Sequence, residues 1–280
     1  MKRIAFVLIL ILAAFAMADV TYTFKGTNWS DANKEKVLSN GKAFLKEPAF
    51  FRIEFTESTN PMMGTGTYMI SNDGKTILLV NPKEKTFSKL DMEQILKLTQ
   101  ALGGMMEMKV ENPKATQARG TQDMTVAGLP AKHYVMDTSY TMKVKVLFMK
   151  SSSQISSHRD LWYTESFPIA VMDYFQARGV KSGFGELDKL IELEKVKVPV
   201  ILLKSKMTSE SKDEKGKGKV TKSYDEFEIT AWEKASLSPD LFVVPAGYKE
   251  TPMLGVAGEE GEGKEGEEGE KENPLKNLFK

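Results

Sequence analysis

The sequence predicts a mainly β fold of the α+β class, built as one antiparallel unit whose turn spacing suggests a barrel or curved sheet. Three observations carry this. Short runs of aromatic and β-branched residues alternate with polar ones from Val20 onward, the period of a half-buried strand. Asp73-Gly74 and Asn81-Pro82 punctuate the stretch Thr67 to Leu90, so three strands fit into about 25 residues. The chain of 280 residues contains no cysteine, so a hydrophobic core rather than disulfides must hold it together.

The elements follow in order. Val20-Thr21-Tyr22-Thr23-Phe24 is the first strand, and the polar Asp31 to Lys36 is a loop. Ala43-Phe44-Leu45 and Phe50 to Phe55 are strands separated by Glu47-Pro48, where proline removes a ladder donor. In the second, Phe51, Ile53 and Phe55 share one face and Phe50, Arg52 and Glu54 the other. Thr67 to Ile70, Thr76 to Val80 and Thr86 to Leu90 form the meander. Asp91 caps a predicted helix from Met92 to Leu102, with Ile95, Leu96, Leu98 and Leu102 as its stripe and Gly103-Gly104 as its stop.

Strands resume at Gln117 to Val126, Lys132 to Met136, Lys143 to Met149 and Asp160 to Thr164, with a Ser-rich loop holding His158 before the last. Pro168 opens a second helix reaching Arg178, and Phe184 to Glu194 forms a third. Pro199 to Met207 and Val220 to Glu233 close the domain as a hairpin around the charged turn Lys212 to Lys219, followed by Pro239 to Tyr248.

Residues 1–18 have the pattern of a cleavable export signal: Lys2 and Arg3, an apolar run from Ile4 to Phe15, then Ala16-Met17-Ala18. The expected location is therefore periplasmic or secreted. Losing Lys2 and Arg3 takes the formal charge from +1 to about −1, which gives no reason to expect nucleic acid. Residues 19–249 form the expected domain. Residues 250–280 hold nine Glu and four Lys, and Gly258 to Glu272 has no apolar side chain, so a disordered acidic tail is expected there. Its end, Leu278-Phe279, is a candidate contact for an envelope protein partner.

Glu47-Pro48-x-x-Phe51-Arg52-x-Glu54, then Ser71-Asn72-Asp73-Gly74-Lys75-Thr76 and Asn81-Pro82-x-x-x-Thr86-Phe87, resemble the first half of the LolA-like superfamily of periplasmic lipoprotein carriers and related lipid-binding or envelope-sensing domains. Val126 to Tyr134, Leu161-Trp162-Tyr163 and Leu241-Phe242-x-x-Pro245-x-Gly247-Tyr248 resemble an uncharacterised exported domain family within it. The resemblance runs in order through most of residues 19–249. It implies a curved, incomplete antiparallel barrel with helices covering the concave side, here Met92 to Leu102 and the helix opened by Pro168. It also implies that Arg52 latches this lid. The chain departs from the carrier in its longer second half and in methionines near the lid.

The resemblance makes the expected ligand a lipid or lipoprotein acyl chain, held by a monomer without a cofactor. Candidate ligand-binding residues are Phe50, Arg52, Met62, Met63, Tyr68, Leu96, Met105, Met106 and Trp162. Methionine suits a pocket that repacks around variable chains, and equally suits ordinary core filling. Arg52 is either a lid latch or acyl-carboxyl partner, or an edge residue paired with Glu54 or simply solvated. No catalytic motif stands out: His133 and His158 lack metal-ligand spacing, and no nucleophile elbow or zinc-protease motif occurs. The competing expectation is an envelope interaction or sensing scaffold with no ligand cavity.

Overall fold

The computed structural model describes residues 19–46, 50–60, 63–73, 76–91, 106–146, 149–166, 185–194, 201–214 and 218–252. Six strands form an N-terminal meander: β1 (Asp19–Ser30), β2 (Val37–Lys46), β3 (Phe50–Ser58), β4 (Tyr68–Ser71), β5 (Thr76–Asn81) and β6 (Thr86–Asp91). Each is antiparallel to the next. The second half comprises β7 (Met106–Arg119), β8 (Met124–Val126), β9 (Leu129–Val146), β10 (Met149–Thr164), β11 (Ile201–Asp213) and β12 (Val220–Ala235), with helix α1 (Gly185–Glu194) between β10 and β11. β12 returns to pair with β1, which joins the halves into one sheet. A short β13 (Lys249–Glu250) then adds in parallel to β6.

The sheet is curved and open. β8 and β12 touch although β9, β10 and β11 stand between them in the strand order, which requires the sheet to curl. Among the described residues its outermost strands, β13 and β7, do not pair with each other, so the sheet there stays open. The main core follows from this curl, since Val20, Leu45 and Phe51 of the first half join Trp162, Leu203 and Ile229 of the second in one cluster. Gly41 is required where β2 passes beneath Phe24. A Cβ there would lie 2.8 Å from the Phe24 ring and 2.0 Å from the Glu54 carbonyl oxygen.

Register assigns faces. Arg52 pairs with Ile70 and Glu54 with Tyr68, so these four share a face. Phe51, Ile53 and Phe55 lie on the other, where Phe55 meets Phe24 edge-on at 6.4 Å and Phe24 meets Phe227 at 6.1 Å. Asn28 is on the same side of β1 as Phe24, and cross-strand partners carry that face through Asp225, Met207, Arg159 and Met136 to Gln117.

Three expectations change. The Ser-rich segment before Asp160 is not a loop: β10 begins at Met149, because long partners on both sides supply a complete ladder that overrides low strand propensity. Lys132 to Met136 and Lys143 to Met149 are not separate strands either; the first and most of the second lie in the single β9, and Met149 opens β10. Gln117 to Val126 is instead split into β7 and β8, both aligned on β9 and interrupted by Gly120 to Asp123. The third helix is present as α1. The helices expected at Met92 to Leu102 and Pro168 to Arg178, the export signal and residues 253–280 lie outside the described residues.

Candidate functional site

Two arrangements account for the residues singled out above. The first surrounds Arg52 in β3. Its guanidinium stacks on the Tyr68 ring, 3.7 Å from the centroid, while Nε–H donates to Glu54 at 2.7 Å. Nη1–H donates to the Leu241 carbonyl at 3.1 Å. The segment that supplies this carbonyl is a 3₁₀ turn, Pro239–Phe242, started by Ser238, whose hydroxyl accepts from the Asp240 N–H. Phe242 is 1% exposed and meets Phe50 at 5.5 Å, and Val244 and Tyr248 pack on Tyr68, Ile70 and Val80. Phe50, Arg52 and Tyr68 are thus brought together, under the chain's own C-terminal segment. Burial raises the Tyr68 pKa, a shift partly opposed by the Arg52 charge.

The other candidates are dispersed. Met63 lies in the turn before β4, its N–H donating to Asn60 Oδ1. Met106 opens β7, and its side chain is not among the described ones; Met62, Leu96 and Met105 lie outside the described residues. Trp162 is buried away from Arg52, stacked on His133 at 4.8 Å, and its indole N–H donates to the Gln122 carbonyl.

The second arrangement is the cleft between α1 and the sheet. Leu190 buries the helix, and Glu194 at its end accepts from Arg159 Nη1–H at 2.8 Å. Arg159 also directs Nε–H at Met207 Sδ, 3.1 Å away. The cleft, of about 870 Å³, is lined by Pro113, Ala115, Gln117, Met136, Lys189 and Leu193, among others. Leu193 is 49% exposed at its mouth. Around Arg159 burial perturbs titration: it pushes Tyr163 up to about 12 and raises Tyr140, and it also raises Asp225, against the hydrogen bond from Asn28.

Sequence reading missed this cleft because its lining is set by the register of β7 on β9 and by α1 packing over them, which no local spacing reports. It missed also that His133 and His158 both approach Asp160. His133 Nδ1 accepts the Gln122 N–H at 3.2 Å, so Nε2 carries the proton and donates it to Asp160 Oδ1, 2.9 Å away. Asp160 Oδ2 is 3.8 Å from His158 Nε2, and His158 Nδ1 is 2.7 Å from Asp137. The alternation of Asp160 with His158 on β10 was the available signal. Among the described residues no group of three or more acidic or histidine side chains is arranged to hold a metal ion, and no helix is long and apolar enough to cross a membrane.

No family model and no curated protein sequence matches the chain. Solved structures do. A LolA superfamily protein from Nitrosomonas europaea is 9% identical, with a TM-score of 0.30 over 82% of this chain and 91% of that one. A domain described as an outer membrane lipoprotein-sorting protein, from Vibrio parahaemolyticus, is 10% identical, with a TM-score of 0.30 over 81% and 90%. A DUF1329 family protein from Desulfovibrio piger is 9% identical, with a TM-score of 0.32 over 84% and 93%. The chain is similar to structures of the superfamily whose motifs its sequence resembles.

Proposed function

We propose that the protein is an exported, non-enzymatic binding protein that takes a lipid or other acyl chain into the cleft beneath α1. The observation that carries this is the cleft itself. Its volume of about 870 Å³ lies within the range of small-molecule sites, and Pro113, Ala115, Met136 and Leu193 give it apolar walls with Lys189 and Gln117 at hand for a polar head. Affinity would come from burial, roughly 0.8 kcal/mol per CH₂ removed from water. The Arg52 face supports ligand binding less, since Phe242 and Val244 already cover it. It favours instead a role for Arg52 in holding the C-terminal segment.

The test is extraction of protein purified from its own cell envelope, with mass spectrometry of the released lipid, and titration of the stripped protein with a fluorescent fatty acid. Binding should fall at least about tenfold in Leu193→Asp, which places a charge at the exposed mouth of the cleft. No co-purified lipid together with no fatty-acid binding would refute the proposal.

A further inference from the structure

The side of the sheet facing away from the α1 cleft carries a second concavity that the acyl-chain reading does not use. Cross-strand partners align Thr116 of β7, Asp137 of β9, His158 of β10 and Thr208 of β11 in one row. The adjacent row contributes Ser139 and Ser156, and together they line a groove of about 440 Å³. By alternation these rows lie opposite Met136 and Arg159. Among the described residues no aliphatic or aromatic side chain lines it.

Besides Lys114 and Glu210, which also line it, its polar groups are of two kinds. The hydroxyls of Thr116, Ser139, Ser156 and Thr208 have no hydrogen-bond partner among the described residues, so four donor–acceptors stand open along a short path. Asp137 and His158 are held in place. The buried His133 fixes Asp160 at 2.9 Å, Asp160 lies against His158 Nε2, and His158 Nδ1 holds Asp137 at 2.7 Å. Fixed acceptors beside open hydroxyls are the pattern that orients a small polar ligand.

The row continues into aromatic rings. Thr208 pairs with Tyr224 and Tyr224 with Trp29, and these rings stack at 5.1 Å with their planes 14° apart. Rings stacked across neighbouring strands stand on edge, so the second face of Tyr224 looks along the row. It looks over Thr208, a small side chain, toward His158. Two strand spacings, ~9.6 Å, separate those positions.

We propose that this groove binds a neutral pyranose unit of a glycan, its C–H face against Tyr224 and its hydroxyls on Asp137, His158 and the open serine and threonine hydroxyls. The ligand class follows from exclusion as well as fit. Lys114 and Asp137 both line the groove, Glu210 is paired with Lys222 at 2.7 Å and Asp160 stands beside His158, so the groove holds no excess of positive charge to draw an anion. An apolar ligand would leave the open hydroxyls desolvated and unpaired. A flat neutral polyol satisfies both surfaces, since its hydroxyls come in adjacent pairs and its ring presents aliphatic C–H on one side.

The test titrates the full mature protein, by NMR or calorimetry, with maltotetraose and with the β-1,4-linked tetramer of N-acetylglucosamine at millimolar concentrations. One of the two should bind, and Asp137→Ala and Tyr224→Ala should each weaken it about tenfold or more. Tyr224→Phe keeps the ring and should retain binding, which separates loss of stacking from loss of fold. Leu193→Asp, at the exposed mouth of the acyl cleft, should leave sugar binding unchanged, so this proposal and the acyl-chain reading stand or fall separately. Absence of binding by both sugars overturns the proposal, and so does binding indifferent to Asp137→Ala and Tyr224→Ala.

Discussion

Replacing Arg52 with alanine separates a latch on the C-terminal segment from a ligand contact. Its side chain is 16% exposed and makes three contacts at once: the Tyr68 ring, Glu54 and the Leu241 carbonyl. Losing a charged donor to the Leu241 carbonyl costs roughly 1.5–3 kcal/mol. Losing a largely desolvated cation–π contact adds roughly 1–2 kcal/mol. Glu54, whose side chain is 35% exposed, can be rehydrated and adds little. Because the contacts share one group they do not sum fully, and a loss of about 3 kcal/mol is expected. With a urea m-value of about 3 kcal/mol/M, the unfolding midpoint should fall by about 1 M. Arg52→Lys should recover part of this, since a single ammonium cannot serve the stacked and forked geometry together. Hydrogen exchange reads the segment directly. The Lys249 and Thr251 amides, which donate to the Lys85 and Phe87 carbonyls, should lose protection before the β1–β12 ladder does. A midpoint within about 0.2 M of the unmodified protein, with Thr251 protection intact, would sink the latch argument; a fall in fatty-acid affinity at unchanged stability would return Arg52 to the ligand.

Gly120→Ala should cost about 2–3 kcal/mol, because the new Cβ would lie 2.0 Å from His133 Nδ1 and force the buried ring off Gln122 and Asp160. Urea unfolding checks it, and a loss below about 0.5 kcal/mol would show that the ring relocates freely. Tyr22 and Tyr163 are both pushed by burial from 10.0 up to about 12. Their folded state therefore keeps protons that the unfolded chain releases, so the stability they contribute is complete below pH 10 and lost as pH rises from 10 to about 12. Tyr163→Phe should flatten that alkaline decline in thermal unfolding, and an unchanged slope would contradict the burial argument. Ala127 has φ 49° and precedes Gly128 at φ 79°, in the two-residue turn between β8 and β9. Ala127→Asn supplies the residue such a turn favours and should raise stability by about 0.5 kcal/mol, read as a higher Tm.

What the sequence made legible was local. The alternation in Phe50 to Phe55 placed Arg52 opposite Phe51, and the two sides indeed differ: Phe51 joins the main core, whereas Arg52 meets Leu241. Asp73-Gly74 and Asn81-Pro82 located the meander because turn chemistry acts over a few residues. Illegible was anything set by distant pairing. Ser151 to Ser157 has poor strand propensity, yet Ser157 is buried with its hydroxyl 2.5 Å from Thr138. The cleft wall formed by Met136 and Gln117 depends on the β7–β9 register, and that register shifts between Glu111 and Lys114. The same limit hid the His133–Asp160–His158–Asp137 chain, whose members stand up to 27 residues apart in sequence.

An open sheet this large must keep its outer strands from pairing with other chains, and the two edges do so differently. At β6 the chain covers its own edge: β13 pairs in parallel with Thr86 and Phe87, and the Thr251 hydroxyl donates to the Phe87 carbonyl. At β7 the edge is broken rather than covered. Asn112 has φ 52°, Pro113 lacks a backbone donor, and Lys114 follows as an exposed charge. The break also serves the cleft, because Pro113 and Ala115 lie at its wall on the side nearest α1. The contact that seals one edge is thus the C-terminal segment held by Arg52, and the irregularity that protects the other shapes the proposed acyl site. A variant that regularises β7, such as Pro113→Val, should therefore lower fatty-acid affinity and promote association in light scattering together. Change in one without the other would show that edge protection and cleft shape are independent.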